Sequence, residues 1–219
     1  MYRMILPETL PDVVAVEAGV GADARAFEAD AAAARTRGDY GRISRWLWGL
    51  LGTAGTATAI LLVSGAVNMA TAEGDAFTAA ASAGILIVAA LVPGIPSGWL
   101  LVSLHRSGRR LARAAAYWAS LPYRRGLRAP TKGDWFAVRF LGFSADLFLR
   151  LSTSALAGLA TIFAASLAVR ALVVGAPAWE LALWSGWALL LVLVCVGQFG
   201  GVQRIQNAYL ARDPQAPTR

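Results

Sequence analysis

Apolar residues in this chain are not spread at helical or strand spacing; they fall in four long blocks, at about residues 46–69, 78–104, 151–174 and 179–202. Each block meets the roughly 20 residues that a helix needs to cross a bilayer core. The first runs from Trp46-Leu47-Trp48 to Asn68-Met69 without a charge, and the second, also uncharged, carries Pro93-Gly94-Ile95-Pro96-Ser97-Gly98. Two prolines that close remove two backbone donors, which predicts a kink or local unwinding in the second block. The third is rich in small residues, and the fourth starts behind Pro177 with Trp179, Trp184 and Trp187. The pattern predicts an all-α integral membrane protein with four transmembrane helices.

Charge adds an orientation. The segment from His105 to Arg150 holds ten basic residues against Asp134 and Asp146, whereas residues 71–75 and 175–179 hold none. Basic residues accumulate on the cytoplasmic side of a membrane, which predicts both termini and the long middle segment inside the cell. The chain then divides into a cytoplasmic arm (1–45), a first hairpin (46–104), a basic loop (105–150), a second hairpin (151–202) and a tail (203–219). The formal charge of +7 is therefore a topological signal and not a nucleic-acid signature.

Composition agrees with a lipid solvent: 57% of residues are hydrophobic and 15% charged, against roughly 25% charged in ordinary soluble domains. The start, Met1 to Glu8, has no apolar core long enough for a signal peptide, so the first span is expected to direct insertion. The high alanine and arginine content with a single lysine suggests a GC-rich bacterial source and hence the inner membrane.

One polar pattern recurs. Thr36, Gly38, Asp39 and Tyr40 before the first span match Thr131, Gly133, Asp134 and Trp135 before the third, and Arg45-Trp46-Leu47 matches Arg139-Phe140-Leu141. Past the second and fourth spans, Arg110-Leu111 lines up with Arg204-Ile205. The reading is duplication of a hairpin whose copies both begin inside, giving two tandem parallel hairpins. In each copy glycine would permit a turn, aspartate would cap the following helix, and the aromatic ring would sit among headgroups. The alternative is that Asp39 and Asp134 pair as a cation or partner site.

Amphipathic helices are expected beside the spans. Over residues 135–150, Arg139, Asp146 and Arg150 share one stripe, with Asp146 and Arg150 at pair spacing. That pattern fits an interfacial helix, or else an extension of the third span. After the second span, Arg106, Arg109, Arg110, Arg113 and Tyr117 face one way and Leu104, Leu111, Ala115 and Trp118 the other. With Arg124, Arg125 and Arg128, these arginines are candidate contacts for a protein partner or anionic phospholipid, beside their plain role in holding topology. The arm, nearly neutral and alanine-rich, favours a helix whose only large apolar residue is Phe27. Such a helix should dock on the basic segment or on another subunit.

Catalytic constellations are missing. His105 stands alone, Cys195 is the single cysteine, and the intramembrane serines and threonines have no base at a plausible depth. No cofactor, metal or nucleic acid is expected. Pro93, Pro96 and Gln198 could line a polar transmembrane site, but no ionisable residue lies at the middle of a span. Arg170 and Glu180 lie near the outer surface, where their spacing predicts an interfacial ion pair. The expected function is a non-catalytic subunit or scaffold of a membrane complex, or homo-oligomer, with an oligomeric channel or transporter as the alternative.

Overall fold

The computed structural model describes residues 4–72, 75–128 and 145–209, and among them every regular element is a helix. In chain order these are α1 (Leu10–Glu17), α2 (Ala26–Gly41), α3 (Ile43–Thr71), α4 (Ala76–Arg124), α5 (Ala145–Val173) and α6 (Ala178–Tyr209). Four helical stretches are long and apolar enough to cross a membrane: Ala26–Thr71, Ala76–Arg124, Ala145–Val173 and Ala178–Asn207. The chain is thus a multi-pass membrane protein.

Helix ends follow local chemistry. Pro11 occupies the first turn of α1, where its missing N–H costs nothing. Glu28 reaches back to accept the Arg25 N–H at 2.9 Å and starts α2. Between α2 and α3 a single residue, Arg42, turns extended (φ −51°, ψ 130°). The Asp75 carboxylate caps α4, accepting from the backbone N–H of Thr78 at 2.9 Å and from its hydroxyl at 2.7 Å. The turn between α5 and α6 passes through Gly175 at φ 63° and carries the Arg170–Glu180 ion pair at 3.5 Å.

Several expectations need correction. Helix α4 continues through Pro93 and Pro96 without unwinding. A proline φ near −65° is itself helical, so the helix persists while the Ala89 and Val92 carbonyls lose their donors and make room for the two rings. Gly38 is helical and makes no turn; the chain turns at Arg42. Residues 145–150 form the start of α5, and residues 135–144 lie outside the described residues, as do Thr131, Gly133, Asp134, Trp135 and Arg139.

The chain forms two compact units. One comprises Trp46–Val102 and Ser152–Gly197; the other comprises Met1–Arg45, Ser103–Leu151 and Gln198–Arg219. In the first, small residues bring helices close: a Cβ added at Gly55 would lie 2.0 Å from Ser97 Oγ, and one at Gly94 would lie 3.2 Å from the Ala59 methyl. Trp46 Nε1 donates to Thr153 Oγ1 at 3.1 Å, and Ser154 Oγ donates to the Cys195 carbonyl at 2.9 Å. Most other hydroxyls return to their own helix, as in Thr53 to Gly49, Thr56 to Gly52, Ser64 to Ile60 and Thr161 to Ala157. That use satisfies a hydroxyl where water is absent. Large apolar residues on this unit, among them Val88, Val92, Leu159 and Leu193, stay exposed, as lipid-facing side chains do.

Candidate functional site

The second unit has a core of its own, and the arm builds much of it. Val13, Ala29, Ala32 and Tyr40 from the arm pack with Leu111, Ala115, Trp118 and Leu121 of α4, Leu147 of α5, and Val202 and Ile205 of α6. Trp118 Nε1 donates to the Asp12 carbonyl at 3.1 Å. Around this core three carboxylates of the arm meet arginines on and just after α4: Glu17 pairs with Arg110 at 3.1 Å, Asp23 with Arg125 at 3.8 Å and Asp30 with Arg128 at 2.6 Å. The Asp30 carboxylate raises the Arg128 pKa. The docking expected of the arm is met within this chain. It runs through alanines, because Phe27 points outward, 62% exposed, with the Arg25 guanidinium 4.8 Å from its ring centre.

Beneath the arm sits a buried polar cluster. Asp39 and Tyr40, at the end of α2, are buried, as are Arg45 in the first turn of α3 and Arg150 on α5. The Asp39 carboxylate does not cap α3; it accepts the Leu6 N–H at 2.9 Å and so ties down the start of the chain. Its other oxygen lies 2.8 Å from Arg42 Nη2 without an aligned hydrogen bond. Tyr40 is buried against α6. Its hydroxyl meets α6 so closely that a Cβ at Gly201 would lie 2.0 Å from it. Burial raises the phenol pKa, partly offset by the charges of Arg150 and Arg45.

The two buried arginines play parallel parts. Arg45 donates to the Met4 carbonyl, to the Leu104 carbonyl at 3.4 Å and to Ser107 Oγ at 2.7 Å. Arg150 donates to Gln198 Oε1 at 3.0 Å and to the Tyr40 carbonyl at 2.7 Å, with its guanidinium 4.5 Å from the Tyr40 ring centre. Each cation is thus held by neutral oxygens, and charge-assisted hydrogen bonds of this kind contribute about 1.5–3 kcal/mol apiece. Removing a buried ion from water costs several kcal/mol, a cost that these bonds offset. Reading Arg150 as a surface partner of Asp146 missed this role. Its i−4 carboxylate was the misleading signal, and nothing in the sequence placed Gln198 opposite.

The remaining candidates divide cleanly. Arg110, Arg125 and Arg128 are engaged by the arm, and the Arg124 guanidinium lies 5.0 Å from the Tyr117 ring centre. Arg106, Arg109 and Arg113 are exposed and make no ion pair among the described residues. Thr36 is buried and returns its hydroxyl to Ala32 at 2.7 Å. Pro93 and Pro96 belong to the first unit and Gln198 to the second. No group of three or more His, Cys, Asp or Glu residues suited to a metal occurs among the described residues. No family model, curated protein or solved structure matches the chain, so its residues alone carry the functional reading.

Proposed function

We propose that this protein is a non-catalytic subunit or scaffold of a bacterial membrane complex, with a folded cytoplasmic unit that docks other proteins. The observation that carries the reading is a set of large apolar side chains left exposed on that unit: Val20, Phe27 and Leu127. Arg125 donates to the Ala24 carbonyl at 3.3 Å and Arg128 holds Asp30, which brings the turn after α4, with Leu127, beside the start of α2, with Phe27. Contiguous apolar surface with a polar rim marks interaction sites, and we take these side chains as parts of one such surface. Cytoplasmic placement rests on the concentration of arginine in this unit.

The arrangement proposed for the spans is two tandem parallel hairpins. Supporting it, Arg45 bonds Leu104 and Arg150 bonds Gln198, and these acceptors stand six residues before Arg110 and Arg204, the matched pair of the repeat. Arg150 makes toward α6 a contact like the one Arg45 makes toward α4; Arg139, which the sequence matches to Arg45, lies outside the described residues. The alternative function, an oligomeric channel or transporter, draws on Gln198, which already serves Arg150 as an acceptor.

The test is gentle purification from native membranes. A protein that co-purifies with the wild type should be lost from the Phe27→Glu/Leu127→Glu variant while the chain stays folded. Solute flux through the pure protein in liposomes, unchanged by that variant, would sink the subunit reading in favour of the channel.

A further inference from the structure

We propose that Arg106, Arg109 and Arg113 form a binding stripe for the phosphate headgroups of anionic phospholipids. The inference rests on the multi-pass membrane reading and adds to it a ligand and a place. Helix α4 is unbroken from Ala76 to Arg124, so positions along it can be followed as one surface. At 100° per residue, Ile95, Trp99, Val102, Arg106, Arg109 and Arg113 fall within an arc of about 80°. On that arc Ile95, Trp99 and Val102 are 65%, 60% and 50% exposed, which for side chains this apolar places lipid tails beside them. The same stripe then changes to arginine with no residue of another type between.

Distances along the axis put these guanidiniums near the headgroups. With a rise of 1.5 Å per residue, Arg106, Arg109 and Arg113 lie about 6, 10 and 16 Å beyond Val102. The headgroup layer is roughly 5–8 Å deep on each side of the apolar core. Helical side chains tilt toward the helix N-terminus, which on α4 is back toward the bilayer, so the long side chains of Arg109 and Arg113 can reach it.

Chemistry and availability complete the case. A guanidinium matches a phosphate with two parallel donors and is weakly hydrated. The other arginines of this segment are occupied: Arg110, Arg125 and Arg128 by arm carboxylates, and Arg124 by the Tyr117 ring. Those three carboxylates therefore do not neutralise the stripe. A basic residue near an anionic surface gains about fivefold in lipid affinity, equivalent to about 1 kcal/mol.

The full-length protein would be placed in nanodiscs of phosphatidylcholine containing a minor share of phosphatidylglycerol, and native mass spectrometry would count the lipids retained. Wild type should retain phosphatidylglycerol well above its share. Changing Arg106, Arg109 and Arg113 together to glutamine should lower that preference on the order of a hundredfold, about fivefold per residue. The same positions changed to lysine should keep most of it, and glutamine at Arg110, Arg125 and Arg128 should leave it near wild type. An unchanged preference in the first variant overturns the proposal, and so does loss from that variant of a co-purifying protein with the lipid preference intact. Quenching of tryptophan emission by brominated acyl chains is read in every sample. Its absence from wild type would mean that the membrane reading itself had failed, a result distinct from loss of headgroup preference in an embedded protein.

Discussion

Adjacent glycines on α6 separate close packing from helix propensity. A Cβ built at Gly201 lies 2.0 Å from the Tyr40 hydroxyl, 2.9 Å from Cζ and 3.3 Å from Cε2, whereas one at Gly200 meets only Arg204 Nη1, at 3.6 Å. Alanine at either position gains up to about 1 kcal/mol of helix propensity over glycine. At Gly200 that gain stands alone, because 3.6 Å is ordinary contact. At Gly201 the ring must move, and it has little freedom: Tyr40 is 4% exposed and the Arg150 guanidinium covers its face at 4.5 Å. Overpacking of this kind costs about 1–3 kcal/mol. A chain of this size shifts its melting point by about 2–4 °C per kcal/mol. Gly201→Ala should therefore melt roughly 2–12 °C below Gly200→Ala, with unfolding followed by tryptophan emission in detergent. Adding Tyr40→Phe removes the nearest clashing atom and should recover part of the loss, a coupling that a double-mutant cycle isolates. Equal melting points for the two alanine variants would refute the packing argument, whatever their position relative to wild type.

Other consequences are as direct. Arg150→Met removes the donor shared by Gln198 and the Tyr40 carbonyl, leaving one buried and one half-buried acceptor at up to about 1–3 kcal/mol each, partly offset by relief of the buried charge. Chemical denaturation should show a net loss of about 2–4 kcal/mol, larger than for Arg113→Met on the surface. Because burial holds the Tyr40 phenol above its ordinary pKa, the folded state keeps this proton more tightly than the unfolded chain. Its contribution to stability is complete below pH about 10 and is lost as pH rises through the folded value. Tyrosinate absorbance, taken as wild type minus Tyr40→Phe, should therefore emerge above pH 10 and together with unfolding, and ionisation of the intact protein below that pH would contradict it. Cysteine labelling from outside the cell should reach position 176 and miss position 125, and the reverse pattern would overturn the orientation.

Solvent, number of spans and distribution of charge are legible in the residues alone. Those properties follow from runs of like residues, and a run of twenty apolar positions needs no tertiary contact to be read. The sequence also showed that the arm must dock, because a helix of alanines with one outlying phenylalanine has too little apolar surface to stand alone. Where single polar side chains go depends instead on how the helices pack. Asp39 looked like a helix cap, yet it binds the Leu6 N–H of a segment far away in the chain. Arg150 looked like the partner of Asp146, yet its guanidinium turns to Gln198 and Tyr40. Local spacing ranks the neighbours that a charged group could meet along its own helix. Burial then removes water as a competitor, and the choice passes to whatever oxygen another helix brings within 3 Å.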